Sequence, residues 1–178
     1  MQKSVLLLNM GGPNNIDEVK VFLTNMFNDK NVIPAPKPIR KMIAWFITTT
    51  RLKSAKSNYA HLGGKSPIVG YTEKLVKALE EKIDAKVEFA MRYTPPFTKE
   101  VLEKVKNSDE IYAIPLYPHY SRTTTLSSLE ELHKEARKMG IEHKIKTIDA
   151  YYKNSDYIQS IVERIKETLG DEIGRAHV

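Results

Sequence analysis

The 178-residue chain contains no cysteine. That absence removes disulfides, iron–sulfur clusters and thiolate zinc sites together, and it is compatible with a reducing cytosol. No apolar run approaches the roughly 18 residues of a membrane-spanning helix. The opening MQKSVLLLNMGGP has too short an apolar stretch for a secretory leader, and Asn9 interrupts it. There is no internal repeat, no low-complexity segment and no block of like charge. Lys plus Arg is 28 and Asp plus Glu is 22, a net charge of +6, but the charges are interspersed. A nucleic-acid-binding tail is therefore not expected, while anionic small molecules and an anionic membrane surface both fit.

Apolar residues make up 41% of the chain, enough for a real core. The length suits one large domain or a part of a bigger protein. Four apolar segments read as strands: KSVLLLN (3–9), KVEFAMRY (86–93), EIYAIPLY (110–117) and HKIKTIDAY (143–151). Amphipathic segments lie between them, at 16–29, 40–62, 68–83, 98–105, 126–139 and 156–169. The second of these is expected to break in its β-branched stretch ITTT. Strands alternating with helices predict an α/β fold, a doubly wound parallel sheet of about four strands with helices on both faces. Ligands of such sheets sit beyond the carboxyl ends of the strands. The loops NMGGPNN, MRYTPPF, PLYPHYSRTTT and DAYYKNS are then the functional suspects.

Each loop also has a plain structural reading. NMGGP lets a backbone approach closely, but no GK[ST] follows it, and an ordinary strand-to-helix turn explains it equally well. Arg92 can grip a carboxylate with two parallel hydrogen bonds, or simply lie on the surface. The hydroxyls of PHYSRTTTLSS offer donors at a helix start. Ser127 or Ser128 with Glu130 or Glu131 would make an N-terminal capping box. That leaves Tyr117, His119, Tyr120 and Arg122 unexplained. Glu130 and His133 have a metal-ligand spacing, although no second pair matches them and a charged outer face accounts for both. RKMIAWF (40–46) mixes basic and aromatic side chains, as an interfacial membrane contact or a cleft lip does, and equally as a core helix with Trp45 inside.

Taken together and in order, NMGGP, YAHLGGKSPI, MRYTPPF, PLYPHYSRTTTLSSLEEL and DAYYKNSDY resemble the amino-terminal half of the ferrochelatase family, from Lys3 to about Leu169. The resemblance implies one of two similar domains flanking a porphyrin cleft, and insertion of Fe2+, as substrate, into protoporphyrin IX to form protohaem. It implies no organic cofactor. Met10 matches the position facing the porphyrin plane. Tyr59 and Ser66 match the porphyrin rim, with His61 a loose match beside them. Arg92 and Tyr93 match a pair near the metal-entry side. Ser121 and Thr123 match the hydroxyl loop, Tyr152 a ring-contacting aromatic, and His119 a residue on the metal path. The Trp45 segment resembles the apolar lip that touches a membrane, which implies a cytoplasmic protein with peripheral membrane contact.

No catalytic residue is expected here. The family's catalytic histidine and its acidic partner lie in the second half, and neither motif occurs, so this chain is expected to be inactive alone. Two other readings are a half-domain that binds tetrapyrrole or metal without chemistry, and an unrelated flavodoxin-like binder. The closing EIGRAHV also translates a common sequencing-adapter read. Residues 172–178 are accordingly expected to be a non-native tail on a domain of residues 1–171, with the natural chain longer.

Overall fold

The computed structural model describes residues 1–169. The expected tail, 172–178, lies outside them. Strands β1 (Lys3–Asn9), β2 (Lys86–Met91), β3 (Glu110–Pro115) and β4 (Ile145–Thr147) form one sheet in the order β2-β1-β3-β4. Every pairing is parallel. Helices α1 (Glu18–Phe27), α2 (Lys37–His61) and α3 (Ile68–Glu80) connect β1 to β2. Helix α4 (Thr98–Val105) leads to β3, α5 (Ser127–Lys138) to β4, and α6 (Ser155–Leu169) follows β4.

The two directions of travel from the centre explain the layers. The chain steps from β1 outward to β2, then crosses back past β1 to β3 and on to β4. Right-handed crossovers in opposite directions place their helices on opposite faces. On one face Leu6, Leu8, Ala90, Ile111 and Ala113 pack with Val101, Leu102 and Val105 of α4 and Leu129, Leu132 and Ala136 of α5. The alternate residues Leu7 and Val87 are buried toward the other face, where α3 packs against β2. This is the doubly wound α/β sheet expected.

Three local expectations need correction. Helix α2 runs unbroken through ITTT. There Thr50 donates to the carbonyls of Phe46 (2.9 Å) and Ile47 (3.1 Å), so its hydroxyl bonds back into the helix instead of opening it. Strand β4 has three residues where nine were expected, and the first two of those nine, His143 and Lys144, lie in a short 3-10 turn, Glu142–Lys144. The helix expected from residue 126 starts at Ser127, directly after a five-residue π turn, Arg122–Leu126.

Helix α6 buries none of its side chains, and Ile158, Ile161, Ile165 and Leu169 form an exposed stripe along it. Among the described residues no helix is long and apolar enough to cross a membrane.

Candidate functional site

The parallel sheet delivers four strand ends to one edge, and the order changes direction between β1 and β3, the position where ligands of open α/β sheets bind. Hydrogen bonds continue past the strands there. Arg92 N–H donates to Asn9 O (2.8 Å), Tyr93 N–H to Met10 O (3.1 Å) and Leu116 N–H to Leu8 O (2.7 Å). The strand pairing is thus extended by main-chain hydrogen bonds beyond the ends of β1, β2 and β3.

Met10 and Tyr59 come together. Both pack on an apolar cluster of Val19, Phe22, Leu23 and Tyr93, which joins α1 and α2 to the ends of β1 and β2. Burial raises the pKa of the Tyr59 phenol. Ser66 reaches the same edge because the chain before α3 folds onto the glycine turn. Its N–H donates to Pro13 O (2.7 Å), and a Cβ at Gly12 would lie 2.6 Å from the Ser66 Cβ. Gly11, with φ +82°, aims this turn and could not carry a side chain without strain.

A second group forms past β3 and β4. The Pro118 carbonyl accepts from both Tyr151 N–H and Tyr152 N–H (3.1 Å each), tying the two loops together. His119 and Tyr152 consequently stack, with ring centroids 4.9 Å apart at 21°. Ser121 opens the π turn. Its Oγ accepts from Thr123 N–H (3.3 Å) and lies 3.0 Å from the Thr123 hydroxyl. π turns are frequent at functional sites. The cap expected of Ser127 or Ser128 is thus supplied several residues earlier, by Ser121. Ser128 meets the Tyr117 hydroxyl at 3.2 Å, and burial raises the Tyr117 pKa.

Arg92 and Tyr93 have a partner inside the protein. Both are turned onto Asp29, just past the end of α1, a residue that no motif or spacing singles out. Asp29 is 4% exposed. Its carboxylate accepts from Arg92 Nη2 (2.9 Å), from the Tyr93 hydroxyl (3.0 Å), from the Ser127 hydroxyl and from Asn31 N–H (2.8 Å). Arg92 Nε also donates to Ser127 Oγ (2.8 Å). Two nitrogens of the Arg92 guanidinium, Nε and Nη2, are thus engaged inside the protein. Tyr93 is 1% exposed and offers a ligand almost no surface in this conformation. Burial, together with the Asp29 charge, pushes its phenol up to about 12. Burial alone would raise the Asp29 carboxyl, but its hydrogen bonds and Arg92 outweigh that and hold it below the ordinary value.

Glu130 and His133 part company. Glu130 binds Lys30 (3.1 Å) and Asn31 (2.7 Å), while His133 meets Glu142 (3.1 Å). Among the described residues no three His, Asp or Glu side chains assemble a metal site. His61 contacts Ser57 O (2.7 Å) at the end of α2. Trp45 is 68% exposed, and Met42 and Phe46 beside it are exposed as well, so the α2 lip is a surface and not core.

A model of the ferrochelatase family matches residues 2–178. The chain is 49% identical over 174 residues to the ferrochelatase of a Nitratiruptor species, covering 96% of this chain and 56% of that protein. It is 48% identical over 176 residues to the ferrochelatase of Sulfurimonas denitrificans, with the same two shares. Identity to the ferrochelatase of Campylobacter concisus is 45% over 175 residues, 96% of this chain and 55% of that one. The chain spans about half the length of the curated relatives it matches.

Proposed function

The chain belongs to the ferrochelatase family, and we propose that it forms one wall of a porphyrin cleft in an enzyme that inserts Fe2+ into protoporphyrin IX to give protohaem. The observation that carries this reading is the gathering of Met10, Tyr59 and Ser66 with Ser121, Thr123, His119 and Tyr152 on the carboxyl edge of one parallel sheet. Met10 and Tyr59 offer an apolar and aromatic surface to the macrocycle, the stacked Tyr152 a second aromatic face, and Ser66, Ser121 and Thr123 hydroxyls to its carboxylates. His119, stacked and exposed, is the candidate for guiding the metal. Arg92 and Tyr93 contribute from behind this wall, through Asp29. No organic cofactor takes part.

Insertion requires a base to remove the two pyrrole protons and an opposing surface to bend the ring, which turns nitrogen lone pairs toward the incoming ion. The described residues supply one surface and no buried histidine. On this reading the chain alone binds porphyrin but does not metallate it, the base and the opposing wall coming from outside the described residues. The protein works in the cytoplasm, with the exposed Trp45, Met42 and Phe46 of α2, flanked by Lys41 and Arg51, resting on a membrane that supplies the apolar substrate. An anaerobic assay with Fe2+ and protoporphyrin tests the inactivity: haem formed in proportion to this chain would refute it.

A further inference from the structure

Asp29 joins parts of the candidate cleft that the sequence keeps far apart. Its carboxylate receives Arg92 and Tyr93 from the end of β2 and Ser127 from the first turn of α5. Tyr93 belongs to the buried cluster against which Met10 and Tyr59 pack. Ser127 immediately follows the π turn that presents Ser121 and Thr123. The same loop of chain returns to α5 again, where Asn31 and Lys30 hold Glu130. One buried charge thus fastens the Met10–Tyr59 side of the edge to the hydroxyl-loop side.

We propose that Asp29 is a positioning residue for porphyrin binding: it locks Arg92 and Tyr93 and, through Ser127, fixes the spacing of the two sides of the cleft wall. This inference rests on the porphyrin reading above.

The test uses the whole chain with Asp29→Asn, which keeps the shape and removes the charge, and Tyr93→Phe, which removes one hydrogen bond to Asp29 and keeps the ring. Phenylglyoxal modification, read at Arg92 by peptide mass mapping, reports whether the guanidinium is held. Absorbance titration with protoporphyrin IX reports affinity and the position of the bound Soret band. Asp29→Asn should retain the far-ultraviolet circular dichroism of the parent and modify at Arg92 about tenfold faster or more, as expected when a hydrogen bond to a charged group is lost. Porphyrin affinity should fall by a similar factor with a shifted Soret band, and Tyr93→Phe should lose affinity in the same direction. Unchanged Arg92 protection in a folded Asp29→Asn chain would overturn the positioning role, as would unchanged affinity and Soret band in Tyr93→Phe. A parent chain that binds no porphyrin would instead defeat the porphyrin reading, leaving the Arg92 measurement to decide the lock.

Discussion

Replacing Gly11 by alanine should destabilise the chain far more than replacing Gly63, although both glycines have φ near +82°. Any L-residue in the left-handed region costs about 1–2 kcal/mol. Alanine recovers roughly 0.4–1 kcal/mol of that by restricting the unfolded chain. At Gly63 nothing lies within 4 Å of the added Cβ, so those two terms are the whole effect, about 1 kcal/mol net. At Gly11 the new methyl meets the Thr94 hydroxyl and, at 3.0 Å, the Met91 Cβ. Thr94 is fully buried and its hydroxyl accepts from Gly12 N–H (3.2 Å), so it cannot swing aside without losing that bond. Overpacking adds roughly 1–3 kcal/mol, for a total of about 2–4 kcal/mol. Urea denaturation followed by circular dichroism measures both variants on the same parent. Equal losses, within about 0.5 kcal/mol, would refute the claim that the glycine turn is pressed against the end of β2.

Two further outcomes follow from charge and exposure. The folded-state carboxyl of Asp29 is held below its unfolded value, so its contribution to stability is complete above about pH 4 and is lost as pH falls through the lower folded value. Acid denaturation of the parent should therefore contain a component that Asp29→Asn lacks, seen by comparing midpoints from about pH 5 down to about pH 2; identical acid profiles would contradict it. Vesicles containing anionic lipid should retain the parent chain in a sedimentation assay, and Trp45→Ala with Lys41→Glu should weaken that retention several-fold, since each surface lysine is worth about 1 kcal/mol near such a membrane. Retention that is absent, or unaffected by the two substitutions, would dismiss the α2 lip as a membrane contact.

The sheet was legible because its strands announce themselves. KSVLLLN and EIYAIP are short apolar runs bounded by turn residues, and their order with the helices leaves few topologies. The carboxyl-edge loops were legible for the same reason, which is how Met10, His119 and Tyr152 could be placed at one edge before the fold was known. Asp29 was not, because its side-chain partners Arg92, Tyr93 and Ser127 lie 63, 64 and 98 residues away and only the fold brings them to it. A polar residue after a helix looks solvated until the strand end beneath it is known. Arg92 was recognised as a carboxylate-binding group, but sequence could not tell an internal carboxylate from a ligand's. The π turn was hidden too: its extra residue is set by Ser121 and by the bond from Thr125 Oγ1 to His119 O (3.3 Å), neither of which leaves a periodic trace.

Titration of this chain with protoporphyrin IX, followed at the Soret band, tests the central claim most directly. The expected result is a saturable one-to-one complex that Met10→Lys weakens tenfold or more, an effect of about 1.4 kcal/mol or above, while Lys166→Ala, on the outer surface of α6, leaves it intact. Porphyrin that associates without saturation, or with equal affinity for parent and Met10→Lys, would mean that the carboxyl edge of the sheet is not a porphyrin-binding wall.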